Sequence, residues 1–118
     1  MATSIQPILF VRQGSRAVEF YKAAFGAIEL YRIEDPGGSV LCELSADGAK
    51  FWVSDESPDH ASFSPETLHG GSVRMVLMVE NPDSAFERAI LAGARAVVPM
   101  GDSYGWRTGR VVDPYGHY

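Results

Sequence analysis

"VRMVLMVENPDSAFERAILAG", residues 73–93, is an apolar run followed by a helical signature, and it restates a pattern met earlier in the chain. The run 73–79 is short, apolar and partly β-branched, which predicts a strand. Asn81 offers a helix cap, Pro82 fits the first helical position, where its missing N–H costs nothing, and Gly93 supplies the stop. Nearer the start, "IQPILFV" (5–11) predicts another strand, and the period then changes. Over 15–25, Ala17, Phe20, Tyr21, Ala24 and Phe25 fall on one helical face, with Ser15 available as cap and Gly26 as stop. Three strands are predicted to follow at 27–33, 40–44 and 51–54, divided by the turn-forming "EDPGGS" and "SADG".

The order strand, helix, three strands therefore begins twice. Laying Val11 on Val79 gives an offset of 79 − 11 = 68, which also puts Ala17 on Ala85, Glu19 on Glu87 and Gly48 of "SADG" on Gly116 of "DPYG". Gly26 meets Gly93 after one deletion. Strand, helix and turn glycine in common register point to two copies of one module. The expected fold class is α+β: two βαβββ modules in one domain spanning 1–118, module one at 5–54, a Pro-, Ser-, Asp- and Gly-rich linker at 55–71, and module two at 72–118. Module one's last strand would map to 119–122. The second module is therefore expected to be incomplete, through truncation or a short natural C-terminus, with a sheet edge near Tyr118 that is open or covered by a partner chain.

The chain has 118 residues, 46% of them hydrophobic, enough to bury a core without disulfides or a structural metal. Its formal charge of −5, with acids and bases interspersed, argues against nucleic acid and against an anionic membrane as partners. The single cysteine, Cys42, lies in an apolar run and has no internal disulfide partner, as in a reducing compartment. The opening residues lack a charged leader, and no segment approaches membrane-spanning length. A cytoplasmic protein is expected.

The two modules, with "AVEFYKAAFGA" after the first strand and "GRVVDPYGH" near the end, resemble the vicinal-oxygen-chelate superfamily. That group holds glyoxalase I, extradiol dioxygenases, and fosfomycin- and bleomycin-resistance proteins; the nearest likeness is to its PhnB-like members. The resemblance covers essentially the whole chain. It implies half-barrels with the helices outside and a ligand pocket on the concave face. Alternation then turns Gln6, Ile8 and Phe10 inward from the first strand, and Arg74, Val76 and Met78 from the fifth.

The resemblance also implies a divalent metal such as Zn, Ni, Fe or Mn, held by one residue near the start of each module's first strand and one on each last strand. Gln6 matches the first position and is an acceptable oxygen donor. Trp52 matches the second, and its indole has no free lone pair; Arg74 matches the third and is a permanent cation. The fourth lies beyond Tyr118. No metal or other cofactor is expected on that reckoning, with a metal held by other donors as the alternative. His60, His69 and His117 show no ligand spacing and read as solvated or locally bonded. Glu43, mid-strand among apolar neighbours, is either a pocket carboxylate or an ordinary solvent-facing residue.

"SYGWRTGR" (103–110) joins Tyr104 and Trp106 to Arg107 and Arg110, a combination suited to stacking on a planar ligand and clamping an anion. The plainer alternative is a loop whose aromatics plug a barrel end and whose arginines pair with the surplus acids. The expected function is small-molecule binding of the bleomycin-resistance kind, at Gln6, Glu43, Trp52, Arg74, Tyr104, Trp106 and Arg107. A metal-dependent lyase or dioxygenase of the same superfamily, and a degenerate dimerisation module, are the alternatives. The resemblance also implies a homodimer, since members of the group commonly dimerise through paired modules.

Overall fold

A computed structural model describes residues 2–118. Strand β1 (Ile8–Val11) leads into helix α1 (Gly14–Phe25), then β2 (Ile28–Glu34), β3 (Val40–Ala46) and β4 (Ala49–Asp55). A 3-10 turn (Pro58–His60) and the short helix α2 (Pro65–Leu68) occupy the connecting segment. Helix α3 (Pro82–Ala92), β5 (Arg95–Ser103) and β6 (Trp106–Val112) follow. The first sheet has order β1-β4-β3-β2, with β1 parallel to β4 and the other pairs antiparallel, and the second contains β5 and β6. The sheets stay curved and unclosed, with the long helices on one side, as the α+β reading expects.

Helix α1 seats Ala17, Val18, Phe20, Tyr21 and Ala24 on the sheet face carrying Val11, Cys42, Leu44 and Val53. These side chains are almost wholly removed from water, at roughly 1.5–3 kcal/mol for each large aliphatic one. Gly26 ends the helix in the left-handed region at φ 66°, and its amide donates back to Lys22.

The start of α1 corrects the sequence reading. Ser15 is not the cap: the helix begins at Gly14, whose amide donates to Asp55 Oδ1 at 2.9 Å, while Asp55 Oδ2 accepts from the Val40 amide at 2.7 Å. One carboxylate from the end of β4 thus caps α1 and anchors the first residue of β3. A side chain on residue 14 would collide with both Asp55 and Val40. Helix α3 follows expectation, with Asn81 accepting from the Ser84 amide at 3.1 Å and Pro82 in the first turn.

The two modules meet through helix α1 against helix α3, and through Tyr21, which donates its phenol hydrogen to the buried carboxylate of Asp113. Asp113 Oδ1 also accepts from the amides of Tyr115 and His117, which shapes the "DPYGH" turn. Gly48 and Gly116, 68 positions apart, both stand at φ 90°, so the repeat extends to backbone conformation.

A second correction concerns 73–79. The segment is extended but is not a paired strand, because pairing needs a neighbour and β4's counterpart would have to lie between it and β6. Among the described residues, its one backbone hydrogen bond to another segment runs from the Met75 amide to the Tyr118 carbonyl, at 3.0 Å. Alternation survives nonetheless. Met75, Leu77 and Val79 are 40–47% exposed, whereas Val76 and Met78 are 83% and 71% exposed.

Candidate functional site

The face of the first sheet turned away from α1 carries the most site-like surface. The strand register aligns Ile8 with Trp52, Trp52 with Glu43, and Glu43 with Tyr31, giving one row across four strands. A second row aligns Phe10, Ser54, Leu41 and Ile33. The side-chain period of two places both rows on the open face, while Val53, Cys42 and Leu44 point into the core.

Gln6 joins this face from the residues preceding β1. Its Oε1 accepts from the Trp52 indole at 2.9 Å, and the neighbouring Pro7 carbonyl accepts from the Trp52 amide at 2.8 Å. Tyr31 meets Trp52 edge to face, with ring centroids 6.3 Å apart and planes at 71°. The indole is therefore fixed on two sides, which would lower the cost of ordering it against a ligand. Gln6, Glu43 and Trp52 are the predicted residues that come together.

The other four do not join them. Arg74 is exposed on the extended segment. Tyr104, at φ 53°, and Gly105, at φ 80°, form the two-residue tip between β5 and β6, where Tyr104 is 99% exposed. Trp106, expected in a loop, is the first residue of β6 and points away from α3. Arg107 points toward α3, its guanidinium bonding both oxygens of Asp83 at 3.2 and 2.9 Å. That pair matches the plainer reading of the segment. Gly109 lies on the same side, where a Cβ would fall 3.0 Å from the Phe86 ring.

Sequence reasoning missed Tyr31. Its clue was alternation with Ile33, obscured by an irregularity in β2 between Glu29 and Tyr31 that breaks a simple count of two.

On the helix side, Glu29 sits between Lys22 and Arg32, and hydrogen bonds from these two cations pull its carboxyl down to about 2. Burial, then the nearby Glu29 carboxylate, pushes the Cys42 thiol up to about 11, so it is a structural side chain and not a nucleophile at neutral pH. His117 Nε2 contacts the Phe10 carbonyl at 2.9 Å, and His60 Nδ1 contacts the Ser57 hydroxyl at 2.7 Å.

The donor chemistry does not suit the implied metal. The Gln6 oxygen already accepts from the Trp52 indole, Trp52 offers only an N–H, and Arg74 is a cation. Among the described residues, no three His, Cys, Asp or Glu side chains converge as a ligand group. No described helix is long and apolar enough to cross a membrane.

Comparison with known proteins matches residues 4–118 to the family model described as the Glyoxalase/Bleomycin resistance protein/Dioxygenase superfamily. An uncharacterized protein of Mycobacterium bovis is 35% identical over 98% of this chain and 79% of its own. Among solved structures, a gene product of Arabidopsis thaliana is 29% identical with a TM-score of 0.72, covering 99% of this chain and 93% of that one. The fosfomycin resistance protein FosX of Listeria monocytogenes, solved with Mn(II) and sulfate, is 18% identical with a TM-score of 0.63, covering 99% and 88%. At that identity the likeness is one of fold.

Proposed function

The chain belongs to the glyoxalase/bleomycin resistance protein/dioxygenase superfamily, and from that premise we propose that it is a small-molecule-binding protein that works without the family's usual metal set. The observation that supports this is the Trp52 indole, held by Gln6 and flanked by Tyr31 on an open face that also carries Ile8, Phe10, Leu41 and Ile33. Such a ring is a preorganised stacking surface for a planar ligand. The donor mismatch at Gln6, Trp52 and Arg74 supports the metal-free half of the reading. One fold here serves unrelated chemistries, so the site and not the family name carries the argument.

Calorimetric titration with a panel of planar aromatic compounds is the direct test. Saturable binding that disappears in Trp52→Ala is the expected result, and flat titrations across the panel would remove the proposal. Elemental mass spectrometry on protein purified without chelators or a metal-binding tag tests the other half. Near-stoichiometric Zn, Ni, Fe or Mn would turn the reading toward a metal-dependent lyase or dioxygenase.

Finer placements belong to the same proposal. The "AVEFYKAAFGA" and "DPYGH" stretches support the PhnB-like branch, and buried, unpaired Cys42 fits a reducing cytoplasm. The apolar open face fits a homodimer, which sedimentation across a wide concentration range would reveal.

A further inference from the structure

Resting on the binding reading above, we infer that the open face selects a planar organic cation of the aryl-amidinium or arylmethylammonium class, with Glu43 as its counter-charge. Glu43 is the one acid in the two cross-strand rows, and its register partners are the aromatic residues Trp52 and Tyr31. The negative faces of these rings give a carboxylate no stabilisation by themselves. A cation placed among them is attracted by all three groups at once.

The alternatives fare worse on the same surface. A neutral planar ligand would cover the half-buried Glu43 without compensating its charge, which is costly. An anion would meet Glu43 directly and the net charge of −5 at longer range. The competing cation on this face is Lys50, two residues before Trp52 on β4. It is exposed, and among the described residues no ion pair joins it to Glu43. A ligand that buries its charge against Glu43 therefore displaces water and not a lysine. The flanking Ile8, Phe10, Leu41 and Ile33 then accept the ligand's apolar body.

Three probes of one shape and different charge test this: naphthamidinium, naphthamide and naphthoate. The chain has two tryptophans, so its indole N–H groups give two proton–nitrogen correlation peaks, which Trp106→Phe assigns. Naphthamidinium is expected to move the Trp52 peak saturably with a Kd about tenfold below that of naphthamide, and naphthoate to bind most weakly. Glu43→Gln, isosteric and on a partly exposed position, should keep the unbound spectrum while erasing the preference. Equal or tighter binding of naphthamide or naphthoate overturns the cation assignment and leaves the binding reading standing. No saturable shift with any probe removes both. A Trp52 peak that moves on dilution and on no titration overturns the inference in favour of a second copy of the chain on this face.

Discussion

Tyr21, on the inner side of the first module's helix, donates its phenol hydrogen to Asp113, just past the last strand of the second. The two modules of this fold are thus joined by a buried hydrogen bond to a carboxylate as well as by helix packing. Tyr21→Phe leaves one oxygen of buried Asp113 without its partner and should cost about 1–3 kcal/mol in denaturant unfolding. Asp113→Ala also frees the Tyr115 and His117 amides and should cost more. A double-mutant cycle between the two sites showing no coupling would contradict the contact.

The same phenol makes a prediction in base. Burial, then the Asp113 carboxylate, raises the Tyr21 pKa well above its ordinary value of 10.0, and burial raises that of Tyr115. The folded state holds these protons longer than the unfolded chain does. Their stabilisation is complete below pH 10 and lost as pH rises toward the folded values, at up to about 1.4 kcal/mol per pH unit for each group. Stability measured from pH 9 to 12 should fall less steeply in Tyr21→Phe than in the parent.

Acid probes the opposite sign. Glu29 has its carboxyl lowered from 4.5 to about 2 by Lys22 and then Arg32, so its contribution is present above pH 4.5 and lost as pH falls toward 2. The cluster lies near the surface, where such pairs contribute no more than about 1 kcal/mol. Glu29→Gln should flatten that part of the acid limb while leaving stability at pH 7 little changed, and added salt should shrink the difference between the two proteins.

Gly14→Ala drives a methyl group into Asp55 and to within 2.6 Å of Val40 Cγ2. A loss of about 1–3 kcal/mol is expected, the usual cost of overpacking a well-filled site. Asp55→Ala removes the helix cap and the β3 anchor together and should lower the melting temperature further. A variant as stable as the parent would show that this carboxylate is not the cap.

Native-state hydrogen exchange should separate the unpaired segment 73–79 from the paired strands of the first sheet. Amides at 76–79 have no strand partner among the described residues and should exchange within the fast, locally open class, whereas the amides of Cys42 and Val53 should be protected to near the global limit. Strong protection at Val76 and Leu77 would mean that another chain pairs with them.

Much of this was legible in the residues. The offset of 68 laid Gly48 on Gly116 as turn glycines, and both stand at φ 90°, because a turn that needs a positive φ selects glycine wherever it recurs. Asn81, Pro82 and Gly93 bounded their helix correctly because caps are local chemistry. What escaped was nonlocal. Asp55 caps a helix from 41 positions away, and no window around Ser15 contains that fact. The run at 73–79 has the apolar alternation of a strand, but a strand also needs a neighbour, which alternation cannot report. Gln6 and Trp52 were singled out through the family's ligand positions and lie together for another reason, an indole hydrogen bond, whereas Tyr31 lay hidden behind the β2 irregularity.

The parallel partnership of β1 and β4 predicts an order of events in folding. Strands β2, β3 and β4 follow one another through short turns and can zip together locally, whereas β1 must wait for α1 and both hairpins before it finds its place beside β4. The Ile8–Trp52 contact is then a late step on the folding route, and the Trp52 indole bond to Gln6 should be a late signal in a refolding experiment. A nascent or partly unfolded chain would lack the finished Trp52–Gln6 platform, so a ligand of the proposed kind would find its stacking surface only once folding is complete.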